Sequence, residues 1–177
     1  MTRALVVFES IYGDAHAIAD AIATSLRQHL PTDVVAAADA PRTIGADVSM
    51  LVVGGPNHAM SMPRQSTRES VNDKDGVHIE NTAFGLHEWL DAVQLPTDIP
   101  AAAFDTRLDH PKFLVKIDHA ARTEEKLLKR HGAHLVAPAE HFTVADAKGP
   151  LAPGEEDRAR QWGSQLAERL ATGSSAR

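Results

Sequence analysis

A chain of 177 residues, 43% of them apolar and 24% charged, is long enough for one folded domain with a sizeable core. The net charge of -6 makes nucleic acid an unfavourable partner, and the absence of cysteine excludes disulfides, thiol nucleophiles and iron–sulfur clusters. No apolar run has the length of a membrane span, and no leader pattern opens the sequence, so we expect a cytoplasmic protein without a membrane partner.

The sequence starts with the patterns of a buried strand and an amphipathic helix. Residues 4–8 are all apolar, as in a strand that is buried on both faces. From Ala15 to Leu26, apolar residues recur at steps of three and four, which predicts one face of a helix. Pro31 lies just beyond, and the helix must end before it because proline cannot continue a helix.

Strand and helix patterns alternate along the rest of the chain. Apolar runs predict strands over residues 33–38, 48–53, 99–104 and 133–137, the last resuming at 140–144. Periodic apolar residues predict helices over 65–72, 82–93, 116–131 and 155–172, with a short helix at 42–46. We interpret residues 1–172 as a single domain and residues 173–177 as a disordered tail.

This repeated alternation predicts an α/β protein in which helices cover both faces of a parallel sheet. In such a sheet, ligands bind beyond the carboxyl ends of the strands, at the switch point in strand order. Three loops are therefore expected to meet there, formed by residues 10–16, 56–63 and 105–111.

The turn after the first strand has the chemistry of an anion site. Ser10 supplies a hydroxyl, Gly13 lies in the turn, and the first backbone N–H groups of the helix have no partner within it. These N–H groups and the positive end of the helix dipole favour a phosphate, such as that of a nucleotide or a flavin. An ordinary turn between a strand and a helix has the same pattern, so the turn alone leaves both interpretations open.

Three segments at the ends of predicted strands resemble the flavodoxin-like family. They are Ser10-Ile11-Tyr12-Gly13, Val52-Val53-Gly54-Gly55-Pro56-Asn57-His58 and Ala103-Phe104-Asp105-Thr106-Arg107. The resemblance covers nearly the whole chain and implies a flavodoxin-like three-layer sandwich of the short-chain type. Its five-stranded parallel sheet would have the order 2-1-3-4-5, and its cofactor would be FMN. The Ser-x-Tyr-Gly pattern is also similar to that of FMN-dependent quinone reductases of the tryptophan-repressor-binding type.

By this resemblance, the first loop wraps the phosphate of FMN and the other two flank its isoalloxazine ring. The implied cofactor-binding residues are Ser10, Ile11, Tyr12, Gly13, Asp14 and Ala15 in the first loop, Pro56, Asn57, His58 and Ala59 in the second, and Asp105, Thr106 and Arg107 in the third. Electron transfer through a flavin needs no catalytic acid or base from the protein, and the resemblance implies no metal.

The expected site differs from the family pattern in two ways. Asp14 and Ala15 stand where the family has asparagine and threonine, and a carboxylate at position 14 is expected to repel a phosphate. The two ring loops contain few aromatic residues, so one side of the ring is expected to be covered by Asn57, His58, Met60 and Met62, and the other by Leu108 or His110.

We predict an FMN-binding redox protein that exchanges electrons with a partner protein or a small-molecule acceptor. Two alternatives remain open: an NAD(P)H-dependent quinone or nitro reductase, and a flavodoxin-fold binding or regulatory module that has lost FMN. A further alternative is a metal site, because imidazoles and carboxylates suited to zinc fall in the expected ligand loops: His16, His58, His110, Asp14, Asp105 and Asp109.

Overall fold

The structure, a computed structural model, describes residues 2–57, 62–108 and 120–174. Its elements are, in order, β1 (Arg3–Phe8), α1 (Asp14–Leu26), β2 (Thr32–Ala36), β3 (Val48–Pro56), α2 (Gln65–Asp75), α3 (Leu86–Ala92), β4 (Pro100–Leu108), α4 (Ala120–Arg130), β5 (His134–Leu135), β6 (Glu140–Val144) and α5 (Glu155–Ser174). Within this part of the chain, no helix combines the length and the apolar character needed to cross a membrane.

The six described strands form one parallel sheet with the order β2-β1-β3-β4-β5. β6 also pairs with β4, since residues 140–144 lie opposite 104–108 while residues 134–135 lie opposite 100–101. β5 and β6 therefore occupy one strand position that is interrupted at residues 136–139. This confirms the predicted order 2-1-3-4-5 and the predicted resumption of the fifth strand.

Alternate residues of the strands enter two apolar cores, one on each face of the sheet. Val6 packs in the core that α1 and α5 cover, where Ile22 and Trp162 are buried. Leu5 packs in the opposite core, which α3 and α4 cover and which contains Trp89. The predicted three-layer α/β architecture is confirmed.

Two of the sequence predictions about regular structure are wrong. Residues 42–46 form no helix, because Ile44 N–H donates to the Gln94 carbonyl at 2.9 Å and Gln94 N–H to the Arg42 carbonyl at 2.8 Å. α5 continues to Ser174, which places Gly173 in the helix rather than in a tail. Residues 175–177 lie outside the described part of the chain.

β3 and β4 extend further than predicted, and this changes the environment of the expected site. Residues 54–56 of β3 pair with 104–106 of β4, and β4 also pairs with β6 as far as Leu108. These neighbours supply backbone partners that a single-sequence pattern does not reveal. Asp105, Thr106 and Arg107, expected in a loop, are strand residues.

Candidate functional site

The loop between β1 and α1, residues 9–13, turns at the carboxyl edge of the sheet. Gly13 is the N-cap of α1, with φ 101° and ψ -19°, a left-handed conformation that favours glycine. Its N–H donates to Ser10 Oγ at 3.1 Å, and no side chain caps the helix. The first N–H groups of α1 therefore face the loop without a side-chain acceptor, in the field of the helix dipole, where an anion is the favoured ligand.

Asp14 and Ala15, which depart from the family pattern, face α5 and the segment before it. Ala15 is only 1% exposed and packs in the α1–α5 core. The Asp14 carboxylate lies against Gly149, where a Cβ atom would stand 2.6 Å from Oδ2. Burial raises the pKa of Asp14, and the Leu151 N–H partly offsets this. The carboxylate expected to repel a phosphate is therefore partly buried against the segment that precedes α5.

Tyr12 joins the β1–α1 loop to the end of α2. Its hydroxyl donates to Asp75 Oδ2 at 2.5 Å, and Lys148 Nζ donates to Oδ1 of the same carboxylate at 2.5 Å. Burial and the Asp75 carboxylate raise the pKa of Tyr12 to about 12, so the phenol remains protonated at neutral pH. These three residues line an open cleft of about 450 Å³ together with Ser66 and Ser70.

A buried ion network fixes the start of the β1–α1 loop. Arg68 of α2 is 1% exposed, and its Nε donates to Glu9 Oε1 at 2.7 Å while Nη2 donates to Glu88 Oε2 at 2.7 Å. Glu9 Oε2 also accepts the Leu86 N–H at 2.8 Å. The sequence did not predict this network, because an arginine on a polar helix is expected to be exposed to solvent. Arg68 and Val71, the two buried residues of α2, are three positions apart, and that spacing was the available signal.

The same guanidinium group holds α2 to the chain on either side of it. Arg68 Nη2 donates to the Pro63 carbonyl and Nη1 to the Thr82 carbonyl, both at 3.0 Å. A Cβ atom on Gly85 would lie 2.2 Å from Arg68 Nη2, so the guanidinium occupies the space that a side chain at position 85 would need. The position of α2 above the edge of the sheet therefore depends on Arg68.

The residues expected to flank a ring lie at the ends of β3 and β4. Pro56 is the last residue of β3, and the next N–H, that of Asn57, donates to the Thr106 carbonyl at 2.8 Å. Thr106 is 4% exposed. Met62, also expected to cover the ring, is 3% exposed and packs in the same core as Leu5. The expected residues that lie outside the described residues are His58, Ala59, Met60, Asp109 and His110.

Asp105 lies beneath the edge of the sheet rather than in a loop. It is 0% exposed, and Oδ1 accepts from Arg107 Nε at 3.2 Å. His141 pairs with it in register across β4 and β6, and its Nδ1 lies 2.9 Å from the same oxygen. The Asp105 side chain, expected to contact a flavin, is instead held by these two neighbours on the α4 face of the sheet.

Glu124 of α4 is a carboxyl group buried on this same face. It is 1% exposed, and Oε2 has no hydrogen-bond partner among the described residues. Burial raises the pKa of Glu124 well above its usual range, and the like charges of Asp105, Glu9 and Glu125 raise it further. The folded protein therefore favours the protonated form of this group.

Glu124→Gln is expected to make the free energy of unfolding less dependent on pH, because wild-type Glu124 lowers that free energy as pH rises. Above the usual pKa of glutamate, the unfolded chain releases a proton that folded Glu124 keeps, so stability falls as pH rises until the raised folded pKa is passed. One such proton contributes at most about 1.4 kcal/mol per pH unit. Urea unfolding between about pH 5 and about pH 8 should show a flatter profile for the variant. The control Glu168→Gln makes the same charge change at an exposed position and should keep the wild-type dependence of stability on pH. If Glu124→Gln also keeps the wild-type dependence, folded Glu124 does not hold the extra proton.

No group of three or more histidine, aspartate or glutamate side chains in residues 2–57, 62–108 and 120–174 could hold a metal ion. Of the histidines considered for such a site, His16 lies on the first turn of α1, where its ring stacks on Phe8 with 4.4 Å between centroids. Its Nε2 lies 3.4 Å from Asp20 Oδ2. The described residues offer no support for the metal alternative.

Several solved structures share this architecture. They include a flavodoxin from the domain Archaea (15% identity, 96% of this chain and 99% of that one, TM-score 0.65), oxidised flavodoxin 1 from Bacillus cereus (17%, 94% and 98%, 0.66) and the flavodoxin, WrbA-like protein from Agrobacterium tumefaciens (17%, 97% and 99%, 0.58). The sequence matches no protein-family model and shows no significant similarity to a curated protein. The chain therefore has the flavodoxin fold.

Proposed function

We propose that the protein binds FMN through the β1–α1 loop and acts as a redox protein. The observation that carries this proposal is the turn at Gly13, which directs uncapped N–H groups of α1 to the carboxyl edge of the sheet. The similarity to solved flavodoxins, one of them described in its oxidised form, supports it.

The residues of the loop suit a phosphate. Ser10 Oγ already lies 3.1 Å from the Gly13 N–H, which places a hydroxyl beside the uncapped helix end. Asp14 is the one carboxylate in the first turn of α1, and it lies against Gly149. These residues would hold the phosphate through backbone N–H groups and one hydroxyl, as at other helix N-termini that bind anions.

A bound flavin supplies one- and two-electron chemistry, while the protein binds it, orients it and controls access to it. We propose that electrons pass to or from a partner protein or a small-molecule acceptor. The net charge of -6 favours a basic partner. Consumption of NAD(P)H by the FMN-loaded protein in the presence of a quinone would assign it to the reductases instead.

Gly13→Ala tests the role of the loop in FMN binding. An alanine at φ 101° is strained by about 1–2 kcal/mol, and relief of that strain turns the N–H groups away from the phosphate. We expect the Kd for FMN, measured by quenching of flavin fluorescence, to rise about tenfold, which corresponds to about 1.4 kcal/mol.

Gly132→Ala is the matched control for that measurement. Gly132 also has a positive φ of 82° with open space at the Cβ position, but it follows α4, away from the loop. It should lose similar stability and keep the wild-type Kd for FMN. Equal Kd values for FMN in Gly13→Ala and Gly132→Ala would contradict the proposed site.

A further inference from the structure

The Asp75 carboxylate at the end of α2 is held by donors from two other segments. Tyr12 comes from the β1–α1 loop and Lys148 from the segment before α5, and each donates to a different oxygen of Asp75 at 2.5 Å. The Asp75 carboxylate thus lies between the Lys148 ammonium group and the Tyr12 hydroxyl. A hydroxyl and an ammonium group placed in this way can also donate to another anionic group of similar size.

The cleft around these groups has further donors and room for a ligand. It measures about 450 Å³, and the hydroxyl-bearing residues of α2 that line it are Ser66, Thr67 and Ser70. The Lys148 side chain is 59% exposed and that of Asp75 is 19% exposed. The ammonium group can therefore be reached from solvent without unfolding the segment that carries it.

Lys148 would supply a positive charge that the neighbouring β1–α1 loop lacks. Residues 9–15 contain no lysine or arginine, although the proposed ligand carries a phosphate with a charge of about -2. Lys148 is the only cation among the residues that line the described cleft, and Tyr12 links that cleft to the loop. The Asp14 carboxylate lies against Gly149, the residue that follows Lys148, so the start of α1 contacts the segment that carries Lys148.

We propose that Lys148 and Tyr12 form the outer part of a phosphate site, and that Asp75 occupies it until a phosphate monoester displaces the carboxylate. The identity of that monoester as FMN rests on the proposed function. A phosphate has more charge and more acceptor oxygens than a carboxylate, so both donors gain from the exchange. The exchange breaks the contacts of Asp75 with Lys148 and Tyr12, and both donors form equivalent contacts with the phosphate. Binding would release the end of α2 from the loop.

Two substitutions of opposite effect test this site. Lys148→Gln removes the cation, and we expect the Kd for FMN to rise about tenfold while the Kd for riboflavin stays unchanged. Asp75→Asn removes the competing charge and is expected to lower the Kd for FMN several-fold. Lys129→Gln, the same charge change at an exposed site on α4, should leave both values unchanged. A Kd for FMN in Lys148→Gln equal to that in Lys129→Gln, or weaker FMN binding by Asp75→Asn, would overturn the proposal.

Inorganic phosphate separates this inference from the proposed function. Millimolar phosphate, compared with chloride at equal ionic strength, should raise the Tm of the wild-type protein and of Lys129→Gln but not that of Lys148→Gln. That result supports the outer phosphate site even if no flavin binds, and it would then assign a different phosphate ester to it. No difference between Lys148→Gln and the wild type in phosphate would contradict the site even if FMN binds.

Discussion

Arg68→Met is expected to destabilise the protein by about 3–5 kcal/mol, because it leaves two carboxylates without their buried partner. Glu9 is 9% exposed, and Arg68 donates to both of its oxygens at 2.7 and 3.3 Å. Methionine fills much of the same volume, so the loss reflects the charge and its hydrogen bonds rather than a cavity. In a domain of this size, Tm falls by about 2–4 °C per kcal/mol, and thermal unfolding followed by circular dichroism measures the change.

Two further variants separate the buried network from ordinary surface charge. Arg130→Met removes an exposed arginine that pairs with Asp91 at 2.8 Å and should cost at most about 1 kcal/mol. The triple variant Glu9→Gln, Arg68→Met, Glu88→Gln neutralises the whole network and should be more stable than Arg68→Met alone. If Arg68→Met unfolds at the same temperature as Arg130→Met, the network does not hold α2 in place.

Gly54→Ala is the second substitution with a large expected effect. A Cβ atom on Gly54 would lie 2.3–2.5 Å from three atoms of the Phe104 ring. β3 is held between β1 and β4, and Phe104 is 0% exposed, so neither the strand nor the ring can move aside freely. Overpacking of this kind costs about 1–3 kcal/mol or more, and we expect weaker FMN binding because β3 ends in the proposed site.

Gly55→Ala provides a control one residue away. Its added Cβ atom would meet Leu86 Cδ2 at 3.4 Å and Glu9 Cβ at 3.5 Å, which are ordinary contacts. Urea unfolding should therefore place Gly55→Ala near the wild type and Gly54→Ala well below it. Replacement of Phe104 by leucine in the Gly54→Ala background should recover part of the loss. Equal stability of the two alanine variants would mean that the Phe104 ring moves aside at little cost.

The fold was predictable because its signals are local. Apolar runs identified β1 to within one residue, and helical periodicity identified α1, which ends at Leu26, earlier than the predicted end at His29-Leu30-Pro31. The alternation of elements indicated the parallel sheet. The predicted ends of the strands were less accurate where pairing with a neighbouring strand determines them. The sequence from residue 105 onward predicts a loop, but pairing with β3 as far as Thr106 and with β6 as far as Leu108 extends β4.

The side-chain networks of the site were not predictable, because they join residues far apart in the sequence. Glu9 and Arg68 are 59 positions apart, and Tyr12 and Asp75 are 63 apart. The charge of Asp14 predicts repulsion of a phosphate, whereas the structure places its carboxylate, partly buried, against Gly149. Composition and spacing identify which residues reach the carboxyl edge of the sheet, but not which of them are bound to each other there.

Paired titrations with FMN and riboflavin provide the sharpest test of the claim that the β1–α1 loop binds the phosphate of FMN. We expect FMN to bind at one site per chain and at least about tenfold more tightly than riboflavin, because only FMN carries the group that the α1 N–H groups and Lys148 would bind. The absorption spectrum of the flavin should shift on binding as its ring leaves water. Equal affinity for the two flavins, or no binding of either, would contradict the claim.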